Sequence, residues 1–403
     1  MKIGIIGAGA SGMAAALAAS ENPENQVYLL ERQARVGRKL LATGNGRCNL
    51  TNIRLSTENY HGTDSHFAEY ALNQFPPEKT LVWFSRMGLY TVTEDSGKVY
   101  PYSDQANSVV DVLRLNLERP NVTLLTAFEV QKVKKQSQGF SVSNGEETLE
   151  FDKLIIACGG LAGSKLGGTM SGYKLLGKLG HKATRLRPAL VQLKSDWGSL
   201  PALKGIRTEC KVEIHHNGQL FAQNRGQLQF TEYGISGPVV FEVSRDVCAQ
   251  PGQWLCRLDM LPDWTEERLY DELIGKTEKN LPVQELLTGI LHNRLGRVLT
   301  QSAGIALSGV CRNLTKEDIS AVVKAVKSFE IKLTEPMGMD SAQVTAGGVL
   351  TEQFDPKTME SRLVSGLYAC GEVLDIDGDC GGYNLQWAWS SGYLAGVSAG
   401  GKV

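Results

Sequence analysis

The 403-residue sequence lacks an excess of charge of either sign: 42 Lys and Arg stand against 43 Asp and Glu. That balance argues against long-range attraction to nucleic acid or to anionic lipid, so no nucleic-acid and no membrane partner is expected. No apolar segment runs uninterrupted for long enough to cross a bilayer. The eight cysteines, Cys48, Cys158, Cys210, Cys248, Cys256, Cys311, Cys370 and Cys380, include no CxxC pair and no zinc-type spacing. No His/Cys/Asp/Glu cluster has metal-ligand spacing, so no metal is expected. Scattered thiols suit a reduced, cytoplasmic chain. Cys48 reads as a buried bystander and not as a reactive thiol. A chain of this length has room for two or three domains.

What is present is concentrated first in residues 2–31. An apolar run, Lys2–Ile6, meets Gly7-Ala8-Gly9-Ala10-Ser11-Gly12; an Ala-rich stretch follows, then the run Gln26–Leu30 ending in Glu31. This is strand, glycine turn, helix, strand, acid. Gly7 makes the tight turn, Gly9 admits a pyrophosphate to the backbone, and Gly12 lets helix and strand pack closely. The helix N-terminus, at Ala10 and Ser11, offers free N–H groups and positive potential to phosphates. Glu31 is in register to accept from an adenosine ribose, with Arg32 beside it. The glycines and the strand that follows argue against reading this start as a signal peptide.

Between Val122 and Gly160 the pattern separates one dinucleotide from another. Val122–Leu125 and Lys153–Ala157 read as buried strands, the second running into Cys158-Gly159-Gly160. Between them Phe128–Lys134, Gly139–Ser143 and Thr148–Phe151 read as a three-stranded meander with an Asn144-Gly145 turn. Such a meander, standing where a nicotinamide dehydrogenase carries another helix, favours FAD over NAD, with backbone near Val130 holding adenine. Further on, residues 189–262 show strand-like runs at Arg207–Ile214, Gly226–Phe230, Val239–Val243 and Trp254–Met260. Residues 263–334 turn helical. Thr265 opens one helix, Pro282-Val283 a second, and Thr315-Lys316-Glu317-Asp318 forms a capping box before a third. The expected architecture is α/β. A discontinuous Rossmann-type FAD-binding domain (1–188 and 335–403) is interrupted by an inserted β-barrel-like domain (189–262) and a small helical domain (263–334).

Near the C-terminus, Gly366–Ala369 reads as a short strand. It is followed by Gly371-Glu372, an acid placed for a ribityl chain, and then by a glycine turn through Gly381 and Gly382. A helix starts at Tyr383-Asn384-Leu385, and its positive end would face the flavin N1/O2 edge, where negative charge develops on reduction. The segment 36–52 is a basic glycine-rich loop. Arg38 and Lys39, ahead of Leu40, offset pyrophosphate charge. Past Thr43, Gly44 and Gly46 let the backbone of Gly44-Asn45-Gly46-Arg47-Cys48-Asn49 lie against a flat ring.

The run GRKLLATGNGRCNLTN, with the C-terminal GEVLDIDGDCGGYNLQWAWSSG, resembles the HI0933-like family of bacterial FAD-dependent flavoproteins. GKVYPYSDQANSVVDVL, FTEYGISGPVVFEVS and VTAGGVLTEQFDPKTMESRLVSGLYACGE resemble further blocks of that family in the same order, so the resemblance spans nearly the whole chain. It implies FAD and a Rossmann-type domain carrying inserted barrel-like and helical domains. Its members include aminoacetone oxidases and bile-acid-ring reductases. One departure is Ser171, which stands where members often carry Asp.

The reaction implied is hydride transfer between a small organic substrate and flavin N5. Two versions compete. An amine or aminoacetone-type oxidase would use dioxygen and release hydrogen peroxide; an NAD(P)H-dependent reductase would saturate an activated C=C bond. The absence of a second strand–GxGxxG–helix unit leans toward the oxidase. A flavin-binding redox sensor is the non-catalytic alternative. Tyr102 and Asp104, in a block rich in hydrogen-bonding groups, are the catalytic candidates, against a plain surface turn. His61 and His66 read as solvated, and Trp387 as packed near the cofactor or in the core.

Overall fold

The computed structural model describes residues 1–401. The chain separates into two compact units: Met1–Pro188 with the chain from Ala342 onward, and Ala189–Ser341.

The first unit is built on five parallel strands in the order Leu367–Ala369, Lys153–Ile156, Lys2–Ile6, Gln26–Leu30, Val122–Leu125. The inner strands are near-continuous apolar runs because both faces of the sheet are covered there, whereas Val122–Leu125, read as a buried strand, is an edge strand only partly covered, with Thr123 exposed. The chain starts in the middle, builds outward through Gln26–Leu30, and later crosses to the other side at Lys153–Ile156. The order therefore reverses between Lys2–Ile6 and Lys153–Ile156, where open α/β sheets bind ligands. The meander is present as Lys132–Lys135, Phe140–Ser143 and Thr148–Phe151. Its first strand starts later than Phe128, because the Ala127 and Phe128 N–H groups donate to Gln33 O and Glu31 O instead.

Two apolar helices cover the sheet beside the reversal, Ala10–Ala19 and Tyr383–Gly400. They meet through small residues. A Cβ on Gly392 would lie 2.3 Å from Ser11 O, and one on Gly396 2.3 Å from Ala15 O. Asn25 Nδ2 ties the far ends together, donating to Ala19 O and Gly400 O at 3.1 and 3.0 Å. Both tryptophans of the C-terminal helix are core residues whose indoles donate to backbone, Trp387 to Gly371 O and Trp389 to Leu50 O. Buried Gln386 has its amide satisfied by Phe75 O, Thr80, Ser390 and Thr51.

The second unit is a closed antiparallel barrel of six strands. Their order is Leu193–Ser195, Gly234–Ser236, Gln219–Phe230, Arg207–His216, Trp254–Asp259, Phe329–Pro336. The strand Phe329–Pro336 comes after the helices and pairs with Trp254–Asp259, so the helical stretch is an excursion between neighbouring barrel strands. One apolar core serves both. This differs from the sequence-based division into 189–262 and 263–334, and it places residues 335 and 336 in the barrel.

Two local readings are corrected. Val239–Val243 is not a strand but part of the helix Pro238–Ala249. Pro238 sits at its start after Gly237 at φ 103°, and Val239, Val240, Val243 and Val247 are buried at helical spacing. Pro282 opens only a 3₁₀ turn, Val283–Glu285; the helix begins at Asn293. The capping box is as read. Thr315 Oγ1 accepts from Asp318 N at 3.1 Å, and Asp318 Oδ2 accepts from Thr315 N at 2.8 Å. Thr315→Ala is expected to cost about 1 kcal/mol, measured by urea unfolding.

Candidate functional site

The sequence-predicted residues converge at the carboxyl ends of four parallel strands. Lys2–Ile6 delivers Gly7, Gln26–Leu30 delivers Glu31, Lys153–Ile156 delivers Cys158-Gly159-Gly160, and Leu367–Ala369 delivers Gly371-Glu372.

Gly7 takes φ 106° and donates its N–H to Leu30 O at 2.7 Å. A Cβ there would lie 2.5 Å from Ala157 O, and one on Gly12 would lie 1.8 Å from Gly7 O. Both glycines are consumed by protein packing. Gly9 differs, since a Cβ there meets nothing within 4 Å. The room above Gly9 is not filled by protein. The helix Ala10–Ala19 opens at that point with no side-chain cap, so its positive end and first N–H groups face the same room.

The Glu31 carboxylate is fixed on both oxygens: Oε2 accepts from Ala8 N and Oε1 from Gln33 N, each at 2.8 Å. Each oxygen keeps a lone pair for a further donor. The Phe128 N–H bond to Glu31 O brings Val130 to within two residues of this corner. Arg32 turns away to Gly167 O at 2.9 Å, and Arg38 to Gln33 Oε1 at 3.1 Å.

Lys39 and Glu372, 333 positions apart, form an ion pair in which Nζ lies 2.8 and 3.2 Å from the two carboxylate oxygens. Glu372 Oε1 also accepts from Thr345 N at 2.8 Å. Gly160 is what lets them approach, since a Cβ there would sit 2.5 Å from both Glu372 Oε1 and Thr345 Oγ1. Gly159 faces open space. Gly371 is wedged against Ser11 and donates to Ser391 Oγ at 3.0 Å.

The basic loop folds as an interrupted 3₁₀ turn over Leu40–Gly46, with Leu40 buried and Thr43 Oγ1 donating to Leu40 O. Gly44, Asn45, Gly46 and Cys48 all take positive φ, 57°, 57°, 87° and 63°. Two non-glycine residues in that region mark a backbone held by its surroundings. Asn49 follows, and its Oδ1 is buried without a hydrogen-bond partner. It lies beside Gly382, where a Cβ would be 2.9 Å away. Gly382 precedes the C-terminal helix, whose N-terminus carries no side-chain cap. A buried acceptor without a donor next to an uncapped helix start fits a ring that brings its own N–H and an edge able to carry negative charge, as the flavin pyrimidine does. Asn384 is turned back on the preceding loop, accepting from Gly378 N and donating to Gly378 O. Asn52 Nδ2 holds Gly381 O at 3.2 Å. Tyr383 packs edge-on to Tyr60, and Leu385 is half-buried against the core.

Of the two catalytic candidates, Asp104 touches the basic loop through Arg47. Tyr102 is 78% exposed, and Asp104 sits at a turn with φ 55°. Asp104 pairs with Arg47, whose guanidinium also reaches Glu94 and stacks on Tyr100. The block is a surface turn braced by Arg47. His61, read as solvated, is instead bonded to Asp379 at 2.7 Å, while Asn59 Nδ2 holds the other Asp379 oxygen at 3.1 Å. Nothing local in sequence signals a pair 318 positions apart. His66 is exposed, bonded to Glu69.

Burial pushes the Cys48 and Cys158 thiols up to about 12. Cys48, fully buried, is not expected to react with iodoacetamide at pH 8 in the folded protein, as peptide mass mapping would show; urea should restore alkylation. No helix among the described residues is long and apolar enough to cross a membrane.

Comparison with known proteins places this geometry. The model of the HI0933-like protein Rossmann domain matches residues 1–398. The 3-dehydro-bile acid delta(4,6)-reductase of Clostridium scindens is 40% identical over 404 residues, covering 99% of this chain and 98% of that protein. The ribosomal RNA dihydrouridine synthase of Escherichia coli is 33% identical over 392 residues, covering 96% and 95%. Among solved structures, the 3-ketosteroid delta1-dehydrogenase of Sterolibacterium denitrificans shares the fold with TM-score 0.51 at 12% identity, covering 100% of this chain and 99% of that one. The expectation of no nucleic-acid partner, drawn from charge balance alone, is not supported beside a relative named for ribosomal RNA. Matched along its length by one family model and by relatives above 30% identity, the chain belongs to the HI0933-like family of FAD-dependent oxidoreductases.

Proposed function

We propose that this protein reduces a C=C bond conjugated to a carbonyl, with NAD(P)H as the electron source. The observation that carries the reading is that two near-full-length relatives bear names describing the same bond change. A Δ4,6-reductase of a 3-oxo bile acid saturates ring C=C bonds in line with a ketone. A dihydrouridine is a uridine with hydrogen added across the C=C bond next to its C4 carbonyl. In both, hydride would arrive at the far end of a C=C bond conjugated to the carbonyl, the β carbon of an enone or the δ carbon of a dienone, and a proton at the nearer carbon of that bond. The balance is substrate, NAD(P)H and H⁺ giving saturated carbonyl and NAD(P)⁺.

Bound FAD supplies the hydride relay at its N5 atom. The chain's own residues bind and orient it. The turn Gly7–Gly12 and the start of the helix Ala10–Ala19 hold the pyrophosphate, with the room above Gly9 for its oxygens. Glu31, already fixed on two N–H groups, accepts the adenosine ribose hydroxyls. Backbone at Val130 takes adenine. The Lys39–Glu372 pair addresses the ribityl chain. Asn49 Oδ1 takes the N–H of the pyrimidine ring, and the positive end of the helix Tyr383–Gly400 favours negative charge there. Tyr102 and Asp104 receive no proton-transfer role, being exposed and ion-paired respectively.

The test is anaerobic. NADPH or NADH should bleach the flavin band of the holoprotein, and a 3-oxo-Δ4 steroid or a uridine-containing RNA should restore it with formation of the saturated product. Bleaching by aminoacetone, with peroxide on admitting air, would replace this reading with the oxidase. No bleaching by any donor would leave the sensor.

A further inference from the structure

Saturating a C=C bond takes a proton as well as a hydride, and neither Tyr102 nor Asp104 is placed to give it. The first unit contains three histidines, His61, His66 and His181. His66 is exposed on Glu69, and His181 is buried between Leu176 O and Ser361. His61 is neither. It lies on the short strand Tyr60–His61, which pairs antiparallel with Asp377–Gly378. Tyr60 turns inward, buried, its hydroxyl donating to Tyr383 O at 3.0 Å. Successive side chains leave a strand on opposite faces, so His61 turns to the open side, where its side chain is 33% exposed.

The ring is fixed through a chain of bonds. Its Nε2 lies 2.7 Å from Asp379 Oδ1, and Asn59 Nδ2 donates to Asp379 Oδ2 at 3.1 Å. Asp379 N donates in turn to Asn59 O at 3.0 Å. Asn59 is itself held, its Oδ1 accepting from Ser56 N at 3.0 Å and Ser56 Oγ at 3.2 Å. Past His61, Thr63 N and Oγ1 donate to Asp375 Oδ2 at 3.2 and 2.6 Å. Between them Gly62 gives way to Asp375 O, which a Cβ would approach to 2.1 Å. A surface ion pair kept for stability contributes little and needs no such bracing. Held by Nε2, the ring presents Nδ1, which makes no hydrogen bond among the described residues, to the open side.

The pair stands beside the positive start of the C-terminal helix. A Cβ on Gly378, which pairs with Tyr60, would lie 2.8 Å from Tyr383 Cβ and 3.4 Å from Asn384 N, one of the first N–H groups of that helix. Asp379 is the next residue, one Cα step of about 3.8 Å further on. Its carbonyl accepts from Asn384 Nδ2 at 3.3 Å. The other ionisable groups of this corner are committed elsewhere. Tyr60 serves Tyr383 O, Asp375 takes Thr63, Lys39 takes Glu372, and Asp377 is buried. Cys380, on the same turn, lies toward Tyr100.

We propose that His61, positioned by Asp379, is the acid that protonates the acceptor when its C=C bond is reduced. This rests on the reading of C=C reduction and adds the proton donor to it. As hydride reaches the far carbon, the π pair of the C=C bond forms the new C–H bond at the nearer carbon with the Nδ1 proton. The Nδ1–H bond breaks and its electron pair stays on nitrogen. Water returns a proton to the imidazole, so the sum is one NAD(P)H and one H⁺ for each bond saturated. His61 acts on the acceptor directly; Asp379 and Asn59 act through His61, as positioning residues.

Anaerobic stopped flow with the holoprotein separates the steps. In His61→Asn, reduction of the flavin by NADPH should match the parent, because it puts no proton on carbon. Reoxidation by ferricyanide, which forms no C–H bond, should match it too. Reoxidation by a 3-oxo-Δ4 steroid or a uridine-containing RNA, whichever the parent reduces, should slow by about 10²-fold or more. Asp379→Asn should slow that step about tenfold, and free imidazole should restore part of the rate to His61→Ala but none to Asp379→Asn. Independently of turnover, ¹⁵N NMR of the histidine rings in the apoprotein should show His61 protonated on Nε2 and the proton distribution altered in Asp379→Asn. A His61 ring unchanged by Asp379→Asn would overturn the assignment, as would equal slowing of ferricyanide and of the C=C acceptor. Acceptor reduction at the parent rate in His61→Asn would sink this assignment alone and leave the reductase intact. A parent that passes no electrons to any C=C acceptor would bring down the reductase reading, and the assignment with it.

Discussion

Gly392→Val is expected to lower the melting temperature by roughly 6–12 °C, an unfolding cost of about 3 kcal/mol, in a thermal scan followed by circular dichroism. Overpacking is usually relieved by neighbouring side chains that give way. Here the obstacle is the Ser11 carbonyl oxygen, 2.3 Å from the new Cβ, inside the first turn of the opposing helix. Backbone cannot move there without shifting the start of the helix Ala10–Ala19, so loss of FAD should accompany loss of stability. Gly275→Ala is the matched control. It lies in the helix Glu266–Thr277 with nothing within 4 Å of its Cβ and should gain up to about 1 kcal/mol from helix propensity. If both variants melted with the parent, the two helices would not be packed as described.

The second large effect is at Glu31. Its replacement by alanine removes an acceptor from two backbone N–H groups and from the ribose at once. We expect FAD affinity to fall about 10²-fold, near 3 kcal/mol, read by titrating apoprotein with FAD and following quenching of flavin fluorescence. Glu31→Gln keeps one oxygen but turns an amide donor toward the other N–H, so an intermediate loss of about tenfold is expected. The melting temperature of the apoprotein separates the outcomes. A loss of FAD affinity at unchanged apoprotein stability assigns the carboxylate to the cofactor. Equal FAD affinity in parent and Glu31→Ala would remove Glu31 from the proposed site.

Legibility in the sequence followed the range of the physics involved. The glycine turn, the five parallel strands and the meander each announce themselves within a dozen residues, through period, turn chemistry or an uninterrupted apolar run. Val239–Val243 misleads because a buried apolar run of five is the same string in a strand and in a helix; the arbiter is Pro238 behind Gly237, which starts a helix. The excursion between two paired barrel strands was illegible because pairing of Trp254–Asp259 with Phe329–Pro336 leaves no mark on either segment. Lys39–Glu372 and His61–Asp379 fall in the same class. Lys39 and Glu372 are each legible as site residues, but that they pair, like the pairing of His61 with Asp379, shows only once the fold brings the two together.

The helix pair also sets a timetable. Asn25 and the carbonyl it holds on Gly400 are 375 positions apart. At a synthesis rate of about 5–20 residues per second, the helix Ala10–Ala19 waits on the order of 20–75 seconds for the surface that covers it. In that interval its alanine face has no permanent neighbour, whereas every strand of the barrel is synthesised before the C-terminal helix. The nascent chain is therefore expected to complete its second unit first, and a chaperone that shields the N-terminal strand and helix should raise the yield of flavin-loaded protein more than one acting after release.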